Sequence, residues 1–111
     1  MKIALIGYGK MGHMLETMAL SRGHEVVCVL DVDTQPAVWD SPAFLSADVA
    51  IEFTAPSAAE QNVRRALQRG IPVVSGTTGW TIPDDLQAAR KEGRWVWKSN
   101  FSVGVNVFFE L

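Results

Sequence analysis

Two hydrophobic periods alternate along the chain. Short apolar runs read as buried strands at KIALI (2–6), EVVCVLD (25–31), DVAIEF (48–53), PVVS (72–75) and RWVWK (94–98). Between them the apolar positions recur every three or four residues, which predicts helices. Met11, Met14, Leu15, Met18 and Ala19 form one such stripe, with Gly23 at its stop. A second stripe comprises Ala59, Val63, Ala66 and Leu67; Ser57 and Glu60 have capping-box spacing before it and Gly70 follows it. A third runs through Ile82, Leu86 and Ala89, opened by Thr81 with Asp84 and closed by Gly93. The stretch TQPAVWDSPAF (34–44), with Pro36 and Pro42, follows neither period and is read as a short helix with an irregular turn.

Strand alternating with helix predicts an α/β fold with a parallel sheet covered on both faces. The expected architecture is a Rossmann-type, doubly wound sheet of order 2-1-3-4-5 with right-handed crossovers. At 111 residues the chain is one domain. Its boundaries are expected at 1–102, with 103–111 beginning a helix. The ending NFSVGVNVFFEL (100–111) is an apolar run with no cap or polar tail, so it reads as a helix cut short before a second domain. An exposed patch there would favour self-association.

The net charge of −2 argues against a general nucleic-acid or anionic-membrane surface. No apolar run is long enough to span a bilayer, and glycines interrupt the N-terminal run too early for a signal peptide. Cys28 is the only cysteine, which excludes an internal disulfide and fits a reducing, cytoplasmic setting. Set mid-strand among valines, it reads as an inert buried thiol. No metal-ligand spacing is present.

Candidate chemistry gathers where the strands end, which is where parallel sheets bind ligands. GYGKMG (7–12) follows the first strand and opens the first helix, the context that gives a G-x-G-x-x-G match weight. Gly7 permits the tight turn, Gly9 lets backbone approach a pyrophosphate, and Gly12 lets helix and strand pack. Tyr8, Lys10 and Met11 complete the loop, with Lys10 either contacting a phosphate or exposed. Asp31 ends the second strand about 20 residues on, where an acid accepts from the adenosine ribose. Asp33 is a weaker competitor. With no Arg or Lys close behind Asp31, a 2′-phosphate meets carboxylates and no cation, so NADH is favoured over NADPH. The third strand ends in Phe53 and Thr54, with Ser57 read as a helix cap. The fourth ends in Gly76, Thr77, Thr78 and Gly79, and the fifth in Ser99, Asn100 and Phe101. Trp95 and Trp97 share one strand face, read as core unless another domain or subunit covers it. The helical face of Arg64, Arg65, Gln68 and Arg69 reads as solvated.

GYGKMG, IEFTAPS, VVSGTTGW and SNFSVGVNVFF, in this order, resemble the 4-hydroxy-tetrahydrodipicolinate reductase (dihydrodipicolinate reductase) family. The resemblance covers essentially the whole chain but only the N-terminal part of the family's. It implies reduction of the heterocyclic product of aspartate semialdehyde and pyruvate, on the diaminopimelate route to lysine, with hydride from NADH or NADPH. By resemblance, residues 7–12 bind the pyrophosphate and Asp31 the ribose. Gly76, Thr77 and Thr78 face the nicotinamide with Phe53 and Thr54 nearby, and Lys98, Ser99, Asn100 and Phe101 line the same end. Thr78 also approaches the small-molecule substrate. The whole enzyme is implied to be a homo-tetramer.

Two departures stand out. Lys98 replaces the small residue expected before SNFS. The family's second domain, with its His-His motif, catalytic Lys and Ser-Gly-Thr loop, has no counterpart within these residues, so no catalytic residue is assigned here and the chain alone is expected to be inactive. His13, near the phosphates, and His24, in the turn before the second strand, do not replace them. Two rival readings are another Rossmann oxidoreductase, against which GTTG with NFSVGVN argues, and a non-catalytic nucleotide-binding module.

Overall fold

The structure, a computed structural model, describes residues 1–97. Five strands form one parallel sheet: β1 (Lys2–Ile6), β2 (Glu25–Leu30), β3 (Val49–Glu52), β4 (Val73–Ser75) and β5 (Trp95–Trp97). Their order is β2-β1-β3-β4-β5, as the sequence predicts. Helices α1 (Lys10–Ser21), α2 (Pro42–Leu45), α3 (Pro56–Gln68) and α4 (Asp84–Lys91) connect them, with a 3-10 turn over Pro36–Asp40. The irregular stretch after β2 thus resolves into that turn and α2, where Ser41 Oγ accepts from the Phe44 N–H at 3.2 Å.

Side-chain alternation along the strands builds two cores. Ile3, Leu5, Val49 and Ile51 point to one face and pack with Leu15 and Ala19 of α1. Ala4, Ile6, Ala50 and Val73 point to the other, against Val63 and Ala66 of α3, Leu86 of α4, and Trp39 and Phe44. β3 lies at the centre and is buried at all four positions.

Some local expectations are corrected. α3 begins at Pro56 with Ala55 as its cap and no side-chain capping bond, so Ser57 is not the cap. Proline has a preset φ and no N–H to lose, so it starts the helix one residue earlier. α4 begins at Asp84 after Pro83, not at Thr81, and Ile82 packs against the core from ahead of the helix. The buried stripe of α1 is Gly12, Leu15 and Ala19, while Met14 is 46% exposed. Met11 and Met18 are partly buried against the same cluster, so the predicted stripe holds except at Met14, with Gly12 added to it.

The arginine face of α3 is not simply solvated. Arg64 pairs with Glu60 at 3.1 Å and holds Asp85 of α4 through two nitrogens. Those hydrogen bonds lower the Asp85 pKa and raise that of Arg64. Arg69 pairs with Asp40 at 2.9 Å and keeps its carboxyl below the usual range, and Arg65 and Arg69 both lie over the Trp39 ring. Trp95 is 1% exposed and donates to the Leu86 carbonyl, and Trp97 is half-buried, so this domain itself covers the face that they share. Cys28 is half-buried, and burial pushes its thiol pKa up. The expectations for Lys98 as the end of the fifth strand, and for a helix from 103, lie outside the described residues.

Leu15→Ala is expected to lose about 2–5 kcal/mol of folding stability, and Met14→Ala about 0.5 kcal/mol or less. Urea denaturation of both variants measures the difference.

Candidate functional site

The ends of β1 and β3 meet closely. Gly7 has φ +103°, a conformation open to glycine, and a Cβ there would stand 2.0 Å from the Phe53 carbonyl oxygen. Its N–H donates to Leu30 O of β2 at 2.7 Å, while the Phe53 N–H donates to Ile6 O at 2.9 Å. One turn on, a Cβ on Gly12 would lie 2.5 Å from the Gly7 carbonyl oxygen. Both missing side chains let α1 start directly against the β1 turn, with its unpaired N–H groups and positive dipole end beside the gap.

A cavity of about 510 Å³ opens there, a volume within the roughly 300–1,000 Å³ range of small-molecule sites. Gly7, Tyr8 and Gly9 lie along it, and Asp31 and Thr34 line it after β2. Phe53 and Thr54 line it after β3. Gly9 caps α1 at φ −81°, and a Cβ there would meet no protein atom within 4 Å. Glycine at this position keeps the cavity clear for a ligand, and a pyrophosphate against the α1 N-terminus fits the residues present. The Tyr8 hydroxyl donates to Glu16 at 2.7 Å, which fixes the loop and, by that bond, raises the tyrosine pKa. Its ring rests on His13. Asp31 is exposed; its Oδ1 accepts from the Val32 N–H, and its own N–H donates to Thr34 Oγ1 at 2.7 Å. Asp33 does not line the cavity.

The other expected site residues divide into three groups. Lys10, exposed, and Met11, packed against the core, form the first turn of α1 with Gly12. Gly76, Thr77 and Thr78 stand beside the cavity rather than on its lining. A Cβ on Gly76 would strike the Phe53 ring, and Thr77 Oγ1 accepts from the Thr54 N–H at 2.9 Å. Lys98, Ser99, Asn100 and Phe101 lie outside the described residues.

Sequence reasoning missed two features. The first turns of α3 line the cavity through Ser57, Gln61, Asn62 and Arg65. Arg65 is a cation in the same cavity as Asp31, 34 positions away in sequence and so invisible to a search just behind the acid. The second is Glu52, fully buried at the end of β3. Its signal was a carboxylate closing an otherwise apolar central strand.

Fold and cavity together define an α/β domain of Rossmann topology with a small-molecule cavity at its strand ends. Among the described residues no helix is long and apolar enough to cross a membrane, and no group of His, Cys, Asp and Glu could hold a metal ion. The family described as "Dihydrodipicolinate reductase, N-terminus" matches residues 1–101. The chain belongs to that family. It is 44% identical over its whole length to a 4-hydroxy-tetrahydrodipicolinate reductase of Christiangramia forsetii, covering 46% of that protein. To the proteins of the same name from Archaeoglobus fulgidus and Herminiimonas arsenicoxydans it is 31% and 32% identical, again over its whole length and covering 50% of each. The chain therefore spans about half the length of the curated relatives it matches.

Gly9→Ala should cost about 1 kcal/mol of stability or less yet weaken dinucleotide binding about tenfold or more, because the added methyl stands in the cavity. Thermal unfolding and NADH fluorescence titration test the two halves of that expectation.

Proposed function

We propose that this chain is the NADH-holding domain of a 4-hydroxy-tetrahydrodipicolinate reductase. The observation that carries the reading is the glycine turn. Gly7 and Gly12 bring the α1 N-terminus against one cavity that also meets Asp31. The turn and helix N-terminus would take the pyrophosphate, and Asp31 would accept from the adenosine ribose hydroxyls. Phe53, Thr54 and the 76–78 turn would flank the nicotinamide, with Lys98, Ser99, Asn100 and Phe101 at the same end and Thr78 nearest the substrate. When bound, NADH would supply the hydride that reduces the heterocyclic product of aspartate semialdehyde and pyruvate. The chain's own part is to fix the cofactor's position and exclude water from one side of it.

Groups that bind substrate and donate a proton are proposed to lie in the part of such reductases outside the stretch matched here, as are the contacts of a homo-tetramer. Residues 103–111 would then begin the helix leading to it. A cytoplasmic biosynthetic role goes with this reading.

NADH is proposed as the preferred cofactor because Asp31 opposes a 2′-phosphate. Arg65 acts the other way, but its guanidinium lies 5.5 Å from the Trp39 ring centre, a cation–π contact that ties it to the cavity wall. Titration of both cofactors into the chain should give tighter NADH binding. Asp31→Ser should weaken NADH and narrow the gap; tighter NADPH binding to the unaltered chain would refute the preference. Turnover is tested by NADH oxidation with substrate generated in situ from pyruvate and aspartate semialdehyde. The chain fused to the second half of the Christiangramia forsetii relative should turn over, and the chain alone should not.

A further inference from the structure

Glu52 is the most deeply buried ionisable side chain described, at 0% exposure. Alternation along β3 turns it to the α3 side of the sheet, opposite its register partner Ser75 on β4. Every partner it has there donates. Ser75 Oγ donates to Oε1 at 2.6 Å, and Thr77 Oγ1 sits 2.9 Å from Oε1 and 2.8 Å from Oε2. The Thr54 hydroxyl donates to Oε2. Thr77 Oγ1 also accepts from the Thr54 N–H, and Thr54 Oγ1 accepts from Asn62 Nδ2 at 3.3 Å, so both hydroxyl protons are directed at the carboxylate. The backbone of Thr77 is held as well: its carbonyl accepts from the indoles of Trp80 at 2.9 Å and Trp97 at 2.8 Å.

This network joins the turns that follow two paired strands, beyond the last backbone bond between them, Gly76 N–H to Glu52 O at 2.9 Å. The turn after β3 lines the cavity through Phe53 and Thr54, and the turn after β4 carries Gly76 under the Phe53 ring. A buried carboxylate is a costly way to hold a fold together. It is an effective way to fix several hydroxyls in one arrangement, because an acceptor-only group leaves them no choice of direction. None of its hydrogen bonds involves Asp31 or residues 7–12; it meets the glycine turn only through the van der Waals contact of Thr54 Cγ2 beside Gly7.

We infer that Glu52 is a positioning residue for the nicotinamide end of the site: it clamps the turns after β3 and β4 to each other and so sets the floor on which that half of the dinucleotide rests. The inference rests on the dinucleotide reading above. An amide at this position would point two N–H donors at hydroxyls already directed inward. A hydroxyl that reversed to accept from it would be left with poor acceptors: the Thr54 carbonyl at 3.3 Å for Thr77, or the Ala55 carbonyl at 3.5 Å for Thr54.

The test compares a whole dinucleotide with one that lacks the nicotinamide. NADH and ADP-ribose are titrated into the chain and into Glu52→Gln, Thr77→Val, Thr77→Ser and Ser75→Ala, with thermal unfolding of each. Glu52→Gln and Thr77→Val should weaken NADH about tenfold or more while leaving ADP-ribose within about twofold. Thr77→Ser, which keeps the hydroxyl, should restore NADH binding. Ser75→Ala removes a bond that does not reach the cavity turns and should lower the unfolding temperature without changing the NADH to ADP-ribose ratio. Equal weakening of both ligands in Glu52→Gln and Thr77→Val would make Glu52 a fold anchor only, and unchanged NADH binding in both would remove the role. If the unaltered chain binds neither ligand, the dinucleotide reading falls and the positioning role with it. If it binds both and the ratio alone fails to move, only the positioning role falls.

Discussion

Everything at this site depends on how near two backbone turns come to each other. The Phe53 carbonyl oxygen occupies the place where any side chain on residue 7 would begin, and the Gly7 carbonyl does the same for residue 12. Backbone contacts that close are possible only without Cβ atoms. They bring together β1, β3 and the start of α1 at the point where the chain leaves β1 for β2 on one side and later β3 on the other. Parallel sheets form their ligand crevice at such a switch in strand order. The cavity and the helix N-terminus beside it follow from that steric constraint, and the pairing of β2 with β1 adds the acid after β2.

The two ends of the cavity are held by different physics. At the Asp31 end the contacts are exposed and local, a turn of backbone bonds around Asp31 and Thr34. Arg65 over the Trp39 ring, and Arg69 over the same ring and paired with Asp40, support the neighbouring wall. At the Phe53 end the support is buried and polar. Glu52, Ser75 and Thr77 are satisfied inside the sheet, and no buried side-chain polar atom among the described residues lacks a partner. An exposed turn can adapt to a ligand, whereas the buried network holds one arrangement. That division suits a site that recognises one half of its ligand and must place the other half accurately.

Much of this was legible in the sequence because it is written in local pattern. The apolar runs gave the strands, GYGKMG after the first run gave the turn, and Asp31 lay at its expected distance. Helix starts were misread where proline outcompeted a hydroxyl cap, at Pro56 and ahead of Asp84. What stayed hidden was set by tertiary contact. Arg65 reaches the Asp31 cavity only because α3 packs beside β2's connection, and the arginines beside it pair with Asp85 and Asp40, far off in sequence. Glu52 is a single charged letter in an apolar word, and its meaning lies in hydroxyls 23 and 25 positions later.

The most direct test is a residue-resolved map of where the ligand sits. NADH titrated into the ¹⁵N-labelled chain should shift the amides of Gly7, Gly9, Gly12, Asp31, Thr54 and the 76–78 turn. ADP-ribose should shift the first four and spare the 76–78 turn. Shifts confined instead to the shallower cavity between α3 and α4, around Arg64, Asp85 and Arg94, or no saturable shifts at all, would contradict the account.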